Sequence, residues 1–327
     1  VSTISEVAAR AGVSKTTVSL VLNNKGNISE KTRAKVFEII DELGYIPDNN
    51  AQTLKNKKTN TIGLILPSLS GYFQLELIRG IEEKIVEFEE YSLNACSAHD
   101  ISLHNAINFL TKRRHDGYII VASQIPDEVV RSVAKRNIPI VVLDRPLNEN
   151  YIFNIRIENT QGTKQLLQYM YDKGYRKLGI VQNNESFDAI ERFNAAQDFA
   201  MQYPDLVMKK EWIWESDLTK KAGYALTDRY FQLEDKPDVI FCLNDDTAIG
   251  LMSGLQERGL RIPEDIAITG FDDIEISKYV TPSITTVQRP MYEIGQLAVE
   301  LLFGCIGGQH YKEIITLETI LIPRNSC

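Results

Sequence analysis

The stretch that most restricts what this chain can fold into is Thr3–Leu22, TISEVAARAGVSKTTVSLVL. Ile4, Val7, Ala8 and Ala11 recur at helical spacing and give one apolar face. Thr3 stands where a helix cap is needed, and Glu6 follows at capping-box spacing. Gly12 ends that helix, because a left-handed residue costs least without a Cβ. Ser14 then caps a second short helix. In it Val18, Val21 and Leu22 face inward, and Lys15, Thr16, Ser19 and Leu20 form the other face. Two helices joined at a glycine turn, the second with polar groups aimed outward, make a helix-turn-helix. Such a second helix fits the major groove of DNA. A generic helical pair is the plainer alternative, and the next tract argues against it. Ser29 caps a third helix, SEKTRAKVFEIIDELG, with Val36, Ile39, Ile40 and Leu43 on its buried side and Gly44 as its stop. Three such helices close a very small core of the kind a DNA-binding headpiece uses.

Charge is divided to match. The 327 residues are enough for two or three domains and carry a net charge of −8. Residues 1–60 account for +3 and the remainder for −11. A basic headpiece on an acidic body suits an anionic polymer at one end only. Cys96, Cys242, Cys305 and Cys327 are scattered without paired spacing, which fits free thiols in a reducing compartment. Cys96, His99 and His104 approach ligand spacing, but no second pair completes a metal site, so neither metal nor cofactor is expected. The chain shows no apolar signal region and no apolar run of membrane length. It reads as a soluble, cytoplasmic protein with no membrane partner.

Beyond the headpiece, Pro47–Leu54 is a short helical candidate followed by Lys55, Lys57 and Lys58. Leu54 has no core of its own to enter. A lone apolar wedge beside lysines is what a minor-groove kinking element needs. A linker that is disordered alone and helical on DNA fits the same composition. From Thr61 the chain alternates strand and helix: TIGLILP, a helix over Phe73–Phe88, then SLNACSA, GYIIVA and PIVVLDR as buried-type strands. A second series begins near Arg156 with KLGIVQ, WIWE, DVIFCLN and IAITGFD. Two such series predict two α/β subdomains, each a doubly wound parallel sheet.

Ligands of open parallel sheets sit beyond the carboxyl ends of the strands. Counting along the chain puts Asp144 and Arg145, Asn244, and Asp272 there, with Arg192, Tyr72 and Phe73 on the helices that follow. Carboxylates and an amide exchange hydrogen bonds with vicinal hydroxyls, a guanidinium adds a fixed fork of donors, and aromatics stack on a ring face. The set suits a sugar or similar polyol. Asn244 and Asp272 could equally serve as helix caps. Asp144 and Asp272 could be paired carboxylates of a glycosidase, but GxSxG, phosphate-loop and GxGxxG motifs are all missing. A secreted sugar-binding protein shares such a cleft, but not a DNA-binding headpiece.

The ordered series of Thr3–Leu22, ISEKTR, ELGYIPDNNAQTL, GYFQLELIRGIE, LNDDTAIG, IPEDIAITGFDD and SITTVQRP resembles the lactose-repressor (LacI/GalR) family over the full length. The resemblance implies an all-α headpiece at 1–46, a hinge helix and linker at 47–60 with Leu54 as wedge, and a periplasmic-binding-protein-like core at 61–327. It implies three crossings between subdomains, near Glu158, near Val287 and near the last strand. The N-subdomain would then hold residues 61–157 and 289–315, and the C-subdomain 158–288 and 316–327. The DNA-contacting set expected on this reading is Thr3, Ser14, Lys15, Thr16, Thr17, Ser19, Leu20, Asn23, Asn27, Thr32, Tyr45, Asn50, Ala51 and Leu54. Lys15 and Thr16 match reading positions, and Leu20 replaces the usual arginine. Asp144, Arg192, Asn244 and Asp272 match effector contacts of sugar-responsive members, and Tyr72 and Phe73 match a pocket loop. Leu218 replaces the stacking tryptophan of the lactose-responsive type, so a lactose-like ligand is not implied. Arg145 varies within the family, and its charge could serve an acidic or phosphorylated effector. The expected protein is a homodimeric repressor on a near-palindromic double-stranded operator, controlled by a sugar or sugar derivative. The alternative is a carbon-catabolite type whose co-effector is a phosphorylated protein. The tail carries no leucine heptads, so the tetramer-forming element of some relatives is not expected.

Overall fold

The computed structural model describes residues 2–22, 25–45, 58–69, 71–112, 114–143, 145–309 and 314–327. They belong to two compact units, Val1–Thr59 and Asn60–Cys327.

The first unit is three helices, α1 (Ile4–Ala11), α2 (Lys15–Leu22) and α3 (Glu30–Leu43). Their ends are set by local chemistry. Thr3 and Glu6 form a reciprocal capping box, and Ser29 accepts from the Thr32 N–H. Gly12 and Gly44 stop α1 and α3 at φ 69° and 56°, the left-handed conformation glycine adopts most cheaply. The core is Val7, Ala8, Ala11, Val18, Val21, Val36 and Ile39, with Ile40 and Leu43 packed at its edge. All of these lie on the faces that the helical spacing selects.

The second unit contains two parallel sheets. In chain order its first elements are β1 (Thr61–Leu66), α4 (Phe73–Ile85), β2 (Ser92–Ser97), α5 (Leu103–Thr111), β3 (Gly117–Ile120), α6 (Asp127–Ala134), β4 (Ile140–Leu143) and β5 (Ile152–Ile157). Then come α7 (Asn159–Asp172), β6 (Leu178–Gln182), α8 (Phe187–Gln202), β7 (Ile213–Glu215), α9 (Lys220–Gln232), β8 (Val239–Cys242), α10 (Asp245–Glu257) and β9 (Ala267–Thr269). The chain ends with β10 (Thr286–Gln288), α11 (Met291–Ile306), β11 (Ile314–Leu317) and β12 (Ile320–Ile322). One sheet has the order β11-β5-β4-β3-β1-β2 and the other β7-β6-β8-β9, while β10 and β12 pair antiparallel as a separate ribbon. The chain thus passes between the sheets after β5, after β10 and between β11 and β12. After β10, α11 returns to the first sheet. Its Met291, Ile294, Ala298, Val299 and Leu302 join Leu77 and Ile81 of α4 in the core, and Phe303 stacks on Phe88 at 3.6 Å.

The structure corrects the sequence reading in three places. The helix expected to reach Phe88 ends at Ile85. The SLNACSA strand is not buried: β2 is the edge of its sheet, and Ser92, Asn94 and Ala95 are exposed. A further buried strand, β5, is hidden in the sequence, because its apolar run is broken by Asn154 and Arg156. Asn154 is satisfied internally, exchanging hydrogen bonds with the Leu147 main chain at 2.8 and 3.0 Å.

His115, just before β3, is buried between Phe109 and Tyr118, with Nδ1 3.0 Å from Thr61 Oγ1. Burial pushes its pKa down to about 4 from an ordinary value of 6.5. Above pH 6.5 neither folded nor unfolded chain protonates it. As pH falls from 6.5 towards 4, the unfolded chain takes the proton and the folded one does not, so stability is lost across that window. Urea denaturation at pH 7 and pH 4.5 should show this loss, and His115→Gln should reduce it relative to the wild type.

Candidate DNA-binding face and ligand cleft

In the helical unit, the Thr3 hydroxyl accepts from the Glu6 N–H at 3.3 Å, and Ser14 Oγ accepts from the Thr17 N–H at 3.0 Å. Ser14 Oγ also lies 2.9 Å from Thr17 Oγ1, so both hydroxyls serve the start of α2. Lys15 and Thr16 stand exposed in its first turn, and Ser19 is half-buried. Leu20 is half-buried, and its side chain leans on the turn that follows, 3.4 Å from where a Cβ on Gly26 would lie. Asn27 is exposed, Thr32 Oγ1 lies 2.9 Å from Ser29 Oγ, and Tyr45 packs on the headpiece core. Asn23, Asn50, Ala51 and Leu54 lie outside the described residues.

In the α/β unit, a cavity of about 600 Å³ opens where the carboxyl ends of both sheets meet. Segments after β1, β3 and β4 line one side, and segments after β6, β7, β8 and β9 the other. Tyr72, Phe73, Arg145, Arg192, Leu218, Asn244 and Asp272 all line it. Asp144 lies outside the described residues.

The centre of the cavity wall is a buried quartet of alternating charge. Arg192 lies 3.4 Å from Asp272 and 3.7 Å from Asp188, and Arg289 lies 3.2 Å from Asp188 and 3.5 Å from Asp272. Arg192 is further fixed by Nε donating to Asn159 Oδ1 at 2.9 Å, by Nη1 donating to the Leu243 carbonyl at 2.6 Å, and by the Phe271 ring at 3.7 Å. Arg289 lies over the Phe73 ring at 4.5 Å. Burial pushes the Asp272 carboxyl up in pKa, while Arg192 and Arg289 pull it the other way.

Asp272 sits in a strained stretch of main chain that several anchors hold in place. It has φ 114° and Asp273 has φ 54°, both rare for residues with a Cβ. The Asp272 N–H donates to the Val287 carbonyl at 2.8 Å. Asp273 turns the other way, pairs with Arg324 and accepts from Gln288 Nε2 at 3.0 Å. Beneath the loop, the fully buried Asp245 accepts from the Ile274 N–H at 3.0 Å and from the Ser277 and Thr286 hydroxyls at 2.6 Å each. Burial raises the Asp245 pKa to about 8, with the three donors opposing it.

The remaining expected residues have structural partners as well. Asn244 caps α10, with Oδ1 accepting from the Thr247 N–H at 3.1 Å, and its Nδ2 donates to the Leu218 carbonyl at 2.8 Å. Leu218 itself sits at φ 59°. Arg145 donates to the Ser123 and Ile125 carbonyls at 2.7 Å each and lies 3.2 Å from Asp127, so its charge is matched within the protein. At the mouth, Lys220 lies over the Tyr72 ring at 4.1 Å and pairs with Asp246 at 3.1 Å.

Sequence reasoning missed Asp188, Arg289, Asp245, Asp246, Lys220 and Gln74. Asp188 and Arg192 are spaced as an i,i+4 pair, a signal that was available. Arg289 precedes a proline at a crossover and served only to mark a boundary. Removing one partner of a buried pair strands the other charge, so Asp188→Ala should destabilise the protein by about 3–5 kcal/mol. The double variant Asp188→Ala/Arg289→Met should lose less than that, and a double-mutant cycle by chemical denaturation measures the difference.

The model of the family described as bacterial regulatory proteins, lacI family, matches residues 3–48. That of the periplasmic binding protein-like domain matches residues 167–327. The chain is 32% identical to the HTH-type transcriptional repressor PurR of Vibrio vulnificus, over 99% of this chain and 98% of that one. Its fold is similar to that of the lac repressor dimer bound to operator and the anti-inducer ONPF, at TM-score 0.82 and 26% identity, covering 99% of this chain and 98% of the other. It is also similar to a LacI family transcriptional regulator from Enterococcus faecium with bound ribose, at TM-score 0.73 and 26% identity, covering 81% and 98%. This chain, a DNA-binding transcriptional repressor with an effector-binding domain and not an enzyme, belongs to the LacI family.

Proposed function

We propose that the protein acts as a homodimer on a near-palindromic operator, and that an uncharged sugar or related polyol in the cleft controls its hold on DNA. The observation that carries the ligand class is the closure of charge in the cavity. Among the described residues lining it, Glu185, Asp188, Asp217, Asp246 and Asp272 are matched in number by Arg145, Arg192, Lys220, Lys221 and Arg289. The innermost four pair with one another, Lys220 pairs with Asp246, and Arg145 pairs with Asp127. At the inner wall, an anionic effector would have to part an arginine from a buried carboxylate, at the cost of leaving that carboxylate unpaired. Hydroxyls exchange hydrogen bonds with both partners of such a pair and leave it standing. The ribose-bound regulator of similar fold supports the same class. On the DNA side, support comes from Lys15 and Thr16 exposed in the first turn of α2. One helix-turn-helix reads one half-site, so a dimer suits a near-palindrome.

The test is a titration of neutral sugars against their phosphates and acids, with Asp272→Ala as control. A buried hydroxyl-to-carboxylate hydrogen bond contributes about 1.5–3 kcal/mol, so calorimetry should show at least about a tenfold loss of affinity in Asp272→Ala. Operator affinity of that variant should be retained, since Asp272 belongs to the other compact unit. Binding of a sugar phosphate in preference to its parent sugar would overturn the ligand class, and a monomer without a selected DNA consensus would overturn the operator reading. Leu20 can pack on a thymine methyl but cannot donate to guanine. Leu20→Arg should therefore move the sequence selected from a random pool towards guanine at one position of each half-site.

A further inference from the structure

Asn159 opens α7 at the first crossing between the two sheets and is 1% exposed. It lies behind the cavity wall, yet its amide is committed to the groups that build that wall. Nδ2 donates to Asp188 Oδ1 at 2.7 Å and to Glu191 Oε2 at 3.0 Å, and Oδ1 accepts from Arg192 Nε at 2.9 Å. These bonds are shorter than the 3.2–3.7 Å contacts that join the quartet to itself. Guanidinium–carboxylate pairs that set their own geometry close to about 2.7–2.9 Å. The quartet therefore takes its geometry from a neighbour, and the amide is the neighbour that Asp188 and Arg192 share. A short amide supplies two donors for carboxylates and an acceptor for a guanidinium, and being neutral it leaves the local charge balanced. Glu191 in turn pairs with Arg156, whose guanidinium lies 5.0 Å from the centre of the Phe187 ring. Arg156 belongs to β5 of the first sheet and Glu191 to α8, which follows β6 of the second. A continuous run of polar contacts thus leads from β5 through Glu191 and Asn159 to the cavity wall.

We propose that Asn159 is a positioning residue of the effector site, its amide setting the pose in which Asp188 and Arg192 meet a bound polyol and tying that pose to β5 through Glu191 and Arg156. The proposal rests on the cleft being the effector site. Asn159→Asp keeps the size of the side chain, but when ionised it has no donor and turns a negative charge on Asp188 and Glu191. When protonated it regains one donor and keeps an acceptor. Burial and the two carboxylates raise the pH at which it takes that proton, against the pull of Arg192.

The experiment compares full-length wild type, Asn159→Asp and Asp272→Ala in calorimetric titrations with D-ribose, D-glucose and cellobiose at pH 8 and pH 6. At pH 8, Asn159→Asp should bind any sugar held by the wild type at least about tenfold more weakly. At pH 6 that gap should narrow to about threefold or less, because the protonated carboxyl donates again. A gap of the same size at both pH values overturns the proposal, and so does an affinity within twofold of wild type at pH 8. If Asp272→Ala abolishes binding while Asn159→Asp leaves it intact, the cleft reading stands and the role of Asn159 falls. If neither variant changes affinity, the cleft reading falls and takes the proposal with it. Crystals of the ligand-free proteins give a second measure. In Asn159→Asp at pH 8, Arg192 and Asp272 should stand more than about 4 Å apart, against 3.4 Å in the wild type. An unchanged quartet overturns the proposal, and if the wild type binds none of the three sugars this comparison alone decides. Should Asn159→Asp fail to fold, Asn159→Ser replaces it in the pH 8 titration and crystals, since one hydroxyl cannot answer three charged groups. Failure of both variants to fold overturns the proposal, because the amide would then be part of the scaffold.

Discussion

The α/β unit depends on how four buried charges are neutralised. Asp188, Arg192, Asp272 and Arg289 arrive from three separate stretches of chain, and each is at least nine-tenths buried. Any one of them alone in such a place would be costly. Together they form an alternating ring that the protein can keep out of water. The ring dictates where the segments after β6, β9 and β10 must meet, and so where the cavity wall stands. Arg289 extends this control across the cleft, because the guanidinium that pairs with both aspartates also covers the Phe73 ring. The cavity wall is therefore a structural joint as well.

The rest of the wall follows from strand polarity. In a parallel sheet every strand ends at the same edge, so the polar residue after each apolar run is delivered to one place. Asn244, Asp272 and Arg145 reach the cavity this way. Their side chains are largely committed to the protein already, as a helix cap, an ion pair and a carbonyl clamp. Such prior commitment holds these groups in fixed geometry before any ligand arrives, so less ordering remains to be done on binding.

How much of this could be read from the chain varied with how local the physics is. The headpiece was legible almost residue by residue, since Thr3, Gly12, Ser29 and Gly44 act within one turn of where they stand. Strands with unbroken apolar runs were legible too, whereas β5 was hidden by Asn154 and Arg156, whose partners lie elsewhere in the fold. Half of the quartet was named and half was not. Asp188 looks like an ordinary acid in a first helical turn, and Arg289 looks like a boundary marker. Arg145 shows the opposite case. Its charge could serve an acidic or phosphorylated effector, and in the fold three main-chain carbonyls and Asp127 surround it; no sequence rule reports carbonyls converging from a neighbouring loop.

Asp272 and Asp273 divide two duties across a single peptide bond. One side chain enters the cavity, and the next is bolted to Gln288, in the two-stranded ribbon where the chain passes between sheets, and to Arg324, just beyond it. The first residue is tied to that ribbon through its own N–H. Mechanically the pair is a lever with almost no arm, so whatever displaces the Asp272 main chain displaces β10 with it. Chemically the pair is divided, since the Asp272 carboxylate that lines the cavity is not the group that grips the ribbon. Side chains around Asp272 can therefore change while the main-chain tie to β10 stays as it is.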